Sequence, residues 1–84
     1  MARKIDKSIH SASQAAFCDL MIKARKRAGL TQHDLAKLLK KPQSFVAKYE
    51  GGERRIDVVE FLTITDAIRA DPIRILRALK GLKR

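Results

Sequence analysis

Apolar residues recur at helical spacing along most of this chain, and cap residues divide the pattern into short segments. Phe17, Leu20, Met21, Ala24 and Ala28 share one face of a first helix. Ser11 is its cap, with Gln14 placed to complete a capping box, and Gly29 supplies the left-handed residue that ends it. Lys23, Arg25, Lys26 and Arg27 crowd the C-terminal half, where the helix dipole favours cations. Thr31, with Asp34 three residues on, caps a second helix whose stripe is Leu35, Ala36, Leu38 and Leu39. Lys40 and Lys41 interrupt that stripe. Pro42 suits the first turn of a third helix, running to Glu50 and closed by Gly51-Gly52. Asp57 and Glu60 form a capping box at the start of a fourth helix, and Ile56 with Phe61 forms a hydrophobic staple. Val58, Phe61, Leu62, Thr65 and Ile68 are its expected inner stripe. Asp71-Pro72 starts a fifth helix with the stripe Ile75, Leu76 and Leu79, ended by Gly81. No alternating strand pattern and no internal repeat interrupts this series. The expected fold is all-α, a compact domain of five short helices over residues 11–84, preceded by a flexible basic arm over residues 1–10.

Charge then narrows the function. The chain has 84 residues with 19 Lys+Arg against 9 Asp+Glu, a formal net charge of +10, which points to a polyanionic partner. A length of 84 residues allows one small domain and excludes a two-domain enzyme with a substrate cleft. With one small domain, regulation is expected from abundance, a protein partner or proteolysis rather than from an attached sensor. The aromatic residues are Phe17, Phe45, Tyr49 and Phe61, too few to favour a single-strand binder that stacks bases. Cys18 is the one cysteine, so no disulfide forms within the chain; it reads as a small, partly buried apolar residue. His10 and His33 lack partners at metal-ligand spacing, so neither metal nor cofactor is expected. No apolar run follows the basic N-terminus, and none is long enough to span a bilayer, so a cytoplasmic location is expected.

The segment 31–50 is a candidate helix-turn-helix. Such a unit needs a small residue where its two helices cross, and Ala36 stands there. Its second helix needs an apolar inner side, supplied by Val46 and Tyr49, and a polar outer side short enough to enter a groove. Ser44 and Lys48, four residues apart, lie opposite Val46, and Gln43 sits in the first turn.

Gly29-Leu30-Thr31-Gln32, Leu35-Ala36, Pro42-Gln43-Ser44-Phe45-Val46 and Tyr49-Glu50-Gly51-Gly52 together resemble the phage-repressor-like (Cro/C1, Xre-type) helix-turn-helix family. The resemblance covers about residues 17–80 and implies a compact five-helix fold. It further implies that residues 42–50 are the recognition helix. Gln43, Ser44 and Lys48 match base-reading positions, Lys48 alternatively meeting a phosphate. Gln32 matches a residue that touches a phosphate and braces the recognition helix. Arg25 matches an arginine that pairs with the glutamate at Glu50. This chain departs at Lys40, where the family usually has glycine, and at Glu53, where a cation would sit more comfortably. Lys40, Lys41, Arg54 and Arg55 are the expected contacts to the DNA backbone. Phe45 either packs beside the core or touches a thymine methyl or sugar.

Together these readings imply a sequence-specific regulator that binds double-stranded DNA, expected as a dimeric repressor on a palindromic operator. Ile73, Ile75, Leu76, Leu79 and Leu82 form the expected homodimer contact. The alternative is an antitoxin or anti-activator that acts by binding a protein partner such as a toxin. An enzyme is disfavoured, because no nucleophile–base pair, phosphate loop or metal cluster is present. A membrane-surface peptide is disfavoured too, because the basic residues are spread over several helices.

Overall fold

The structure, a computed structural model, describes residues 11–82. The basic arm expected over residues 1–10 lies outside them, as do residues 83–84. Five helices follow one another: α1 (Ala12–Arg27), α2 (Gln32–Leu39), α3 (Gln43–Glu50), α4 (Val58–Ala67) and α5 (Pro72–Leu82). No strand occurs among the described residues.

The helix boundaries follow from local hydrogen bonding. Gln14 N–H donates to Ser11 Oγ at 3.1 Å, which caps α1. The reciprocal half of that capping box is missing, because the Gln14 amide turns to Cys18 Sγ at 3.9 Å. Gly29 ends the helix with φ +77°; its own amide returns to the Lys26 carbonyl and the Leu30 amide to the Arg25 carbonyl. α2 and α4 carry complete capping boxes, Thr31 with Asp34 and Asp57 with Glu60. Pro42 precedes α3 as its N-cap, in extended backbone, rather than forming its first turn. Asp71 Oδ1 accepts from Ile73 N–H at 2.9 Å and so caps α5. Gly81 does not end α5, which continues to Leu82.

The core forms where α1 packs on α3 and α5, and α2 packs on α3 and α4. Met21, Leu35, Val46 and Ile64 are its most completely buried apolar side chains. Ala36 is 2% exposed and allows α2 and α3 to cross closely. The inner stripe of α4 is Phe61, Ile64, Thr65 and Ile68, not the expected set. Val58 and Leu62 face solvent, at 72% and 45% exposed. Leu38 is exposed too, as is Ala28, the C-cap of α1. α4 is apolar on nearly all sides, so periodicity alone does not decide which side turns inward.

Candidate DNA-binding surface

A buried ion pair holds the ends of three helices together. Arg25 on α1 donates from Nε to Glu50 Oε2 at 2.7 Å and from Nη2 to Glu50 Oε1 at 3.1 Å. A third bond, from Arg25 Nη1 to the Leu30 carbonyl at 2.7 Å, ties in the loop before α2. Gln32 Nε2 donates to Glu50 Oε1 at 3.0 Å. Glu50 is the last residue of α3, so this cluster fixes the axis of α3 against α1 and the start of α2. The two side chains are 8% and 2% exposed. The Glu50 carboxylate, hydrogen-bonded to the guanidinium, raises the Arg25 pKa further and keeps the charge in place despite burial.

Val46 and Tyr49 bury the inner side of α3, which leaves its outer side in solvent. Gln43, Ser44 and Lys48 all lie on that exposed side, with Lys40 and Lys41 just before the helix. Lys40 terminates α2 in the left-handed region, at φ 57° and ψ 43°. The Lys41 amide, bonded to the Ala36 carbonyl at 3.0 Å, closes the turn behind it. A non-glycine residue there costs on the order of 1 kcal/mol, so the turn is held by its hydrogen bonds and packing.

Phe45 is half-buried and packs against the core, edge-on to Tyr49 with centroids 5.6 Å apart. That is the first of its two sequence readings. Two cations approach its ring: Arg54 Cζ at 4.8 Å and Lys41 Nζ at 5.6 Å. Arg54 is also engaged elsewhere. Its guanidinium grips Glu60 with bonds of 2.8 and 3.1 Å, and donates to the Arg55 carbonyl at 2.9 Å. Glu60 in turn accepts from Asp57 N–H, so the loop after α3 is fastened to the first turn of α4. These bonds hold the Glu60 carboxyl below its ordinary pKa, Arg54 contributing most. The expected backbone-contact role of Arg54 therefore competes with a structural one, which no periodicity along the chain reveals. Arg55 and Glu53 are exposed.

Two other side chains are internal. Cys18 donates from Sγ to the Tyr49 carbonyl at 3.2 Å, and burial pushes its thiol pKa up. The Tyr49 hydroxyl is buried without a hydrogen-bond partner among the described residues, and burial raises its pKa as well. On α5, Ile75 is 8% exposed and belongs to the core, so it docks the helix on its own domain. Ile73, Leu76 and Leu82 remain 45–61% exposed, while Leu79 is half-buried. No group of His, Cys, Asp or Glu able to hold a metal occurs among the described residues. Nor is any helix there long and apolar enough to cross a membrane.

Two packed helices joined by a three-residue turn, with the second presenting a polar outer side, define a helix-turn-helix domain. A helix-turn-helix family model matches residues 21–72, and the chain belongs to this family, in its Xre-type branch of DNA-binding transcription regulators. An XRE-family like protein from Pseudomonas syringae pv. tomato is 45% identical, with a TM-score of 0.82, over 93% of this chain and 95% of its own. The restriction-modification controller protein C.AhdI from Aeromonas hydrophila is 28% identical, with a TM-score of 0.70, over 77% of this chain and 98% of its own. The clp gene regulator ClgR from C. glutamicum shares the fold at 16% identity and a TM-score of 0.77, over 89% of this chain and 97% of its own. No curated protein sequence matches the chain significantly.

Proposed function

We propose that the protein is a sequence-specific repressor that binds a palindromic operator as a homodimer, each protomer placing α3 in the major groove of one half-site. The observation that carries this reading is the rigid mounting of α3. The Arg25–Glu50–Gln32 cluster holds its buried end, while Gln43, Ser44 and Lys48 stand exposed along its outer side.

Gln43 is the main base reader in this reading, because an amide donates and accepts at once and so suits adenine N6 and N7. Ser44 reads beside it, and Lys48 meets a guanine or a phosphate one turn along. Lys40, Lys41 and Arg55 supply positive charge to the sugar-phosphate backbone. Gln32 keeps a second amide N–H beyond the one bonded to Glu50, and in this reading that hydrogen donates to a phosphate. Arg54 acts chiefly on Phe45 and Glu60, shaping the flank of α3. The exposed α5 residues Ile73, Leu76 and Leu82, with Leu79 at their edge, supply the symmetric contact. A cytoplasmic location, at the nucleoid, follows from the reading.

Selection of bound sequences from a random duplex pool tests it. A two-fold symmetric consensus is the expected result. Recovery of sequences with no shared motif, or of a single asymmetric site, contradicts the dimeric reader.

A further inference from the structure

The C-terminal half of α1 and the α4–α5 corner enclose a groove of about 750 Å³. Ala24, Ile68 and Ile75 are its buried floor, and Leu20, Leu30 and Leu38 add apolar wall. Most of its other lining residues are exposed, which makes it an open trough rather than a closed chamber. No residue of α3 lines it, and neither do the exposed apolar residues Val58, Val59, Leu62, Ile73, Leu76 and Leu82. DNA on α3 and a second copy on the outer side of α5 therefore leave it open.

Its rim is strongly basic. Lys23, Arg27, Arg69 and Arg74 all line it. Lys23 is partly satisfied by Asp19 at 2.9 Å, at an exposed pair. Asp71 is the acidic residue in the lining, and its carboxylate already accepts from Ile73 N–H as the cap of α5. Arg69 holds its place in left-handed backbone, at φ 55°.

We propose that this groove docks an acidic, amphipathic helical segment of a partner protein. Apolar side chains of one helical stripe would cover the Leu20–Leu30–Leu38 wall, and flanking Asp or Glu would meet the basic rim. Charge complementarity selects this occupant over two others. A second copy of this chain carries 19 Lys+Arg against 9 Asp+Glu, and its surface repels the rim. A nucleic-acid backbone would satisfy the rim but offers nothing to cover exposed Leu38 and the apolar wall. An open trough also buries too little of a small molecule, which ordinarily needs most of its surface enclosed. Because α3 stays free, the partner can be held while DNA is bound.

The test uses the isotope-labelled full chain and a synthetic helix of about four turns, with leucines on one side flanked by glutamates. Amide shifts are expected to move at Arg27, Leu38, Arg69 and Ala78, with binding that weakens as salt is raised. The variant Arg27→Glu/Arg74→Glu changes two exposed positions, and its retained fold is checked by circular dichroism. It is expected to lose roughly tenfold in peptide affinity, about 1.4 kcal/mol. Leu38→Asn is expected to weaken binding with the charge of the groove unchanged. The proposal is overturned by shifts that scatter over the surface, or by equal binding of polyglutamate or of a lysine-flanked peptide. Displacement of the peptide by duplex DNA with the same groove shifts would make the groove a nucleic-acid surface and also overturn it.

Discussion

A buried charge is stable only while its partner is present. Arg25 and Glu50 are desolvated together, and each of the three guanidinium nitrogens of Arg25 donates: two bonds go to Glu50 and one to the Leu30 carbonyl. Removing one partner strands the other in the interior, at a cost of about 3–5 kcal/mol. Arg25→Met and Glu50→Leu are each expected to destabilise by amounts of that order, and the double variant by less than their sum. A denaturant cycle measures the coupling, and strictly additive losses would contradict it. Glu50→Leu also releases Gln32 and the end of α3, so DNA affinity is expected to fall beyond what the stability loss explains. Lys40 offers a second test at this scale. With φ 57°, Lys40→Gly is expected to stabilise the fold by about 0.5–1 kcal/mol. Arg69→Gly, at φ 55°, is expected to do the same. Only Lys40→Gly is expected to weaken DNA binding as well, because Lys40 adjoins α3 and Arg69 does not. Chemical denaturation together with duplex titration of both variants distinguishes the shared backbone effect from the charge effect.

At the level of elements, the helices start and stop where local chemistry dictates. Thr31 with Asp34 and Asp57 with Glu60 were legible because a capping box is a four-residue pattern and needs no knowledge of the rest of the chain. Gly29 was legible for the same local reason. Arg69 was not: Ile68-Arg69-Ala70 contains no glycine or asparagine to announce left-handed backbone, and the turn is set by how α5 must return onto α1. The inward side of α4 is not legible from periodicity, because Val58, Leu62 and Ile64 all fit a helix, and only packing against α2 and α5 selects Ile64. The Arg54–Glu60 bridge spans a loop and has no periodicity to reveal it. That bridge makes a further prediction. Glu60 is held below its ordinary pKa of 4.5, and Asp34 below its ordinary 3.8 through its bonds with Thr31. A carboxyl with a lowered folded pKa contributes stability above its unfolded value, and that contribution is lost as pH falls through the folded one. Wild type is therefore expected to lose melting temperature on acidification below about pH 4.5 more steeply than Glu60→Gln, which keeps a cap acceptor without the charge. Parallel melting profiles of the two proteins would show that the bridge contributes nothing to acid stability.

For the whole molecule, the arrangement of surfaces matters more than any one contact. α3 faces outward with its polar side, α5 exposes Ile73, Leu76 and Leu82, and α4 exposes Val58, Val59 and Leu62. The exposed apolar residues of α5 suit the symmetric contact proposed for them. Leu76→Glu changes a residue already 45% exposed, so it is expected to leave the fold intact while shifting sedimentation from dimer to monomer and weakening operator binding. Wild-type monomer at high micromolar concentration, with or without DNA, would contradict the dimer. In the proposed complex each protomer reads bases through the exposed side of α3, with Gln43 as principal reader. Its most direct test is the affinity of wild type and Gln43→Ala for a complete set of single-base variants of the selected operator. Gln43→Ala is expected to lose about 1–3 kcal/mol of discrimination at one base pair in each half-site, related by the two-fold axis, while preferences elsewhere are kept. An unchanged preference profile, shifted uniformly to weaker binding, would contradict it and reduce Gln43 to a contact that every sequence shares.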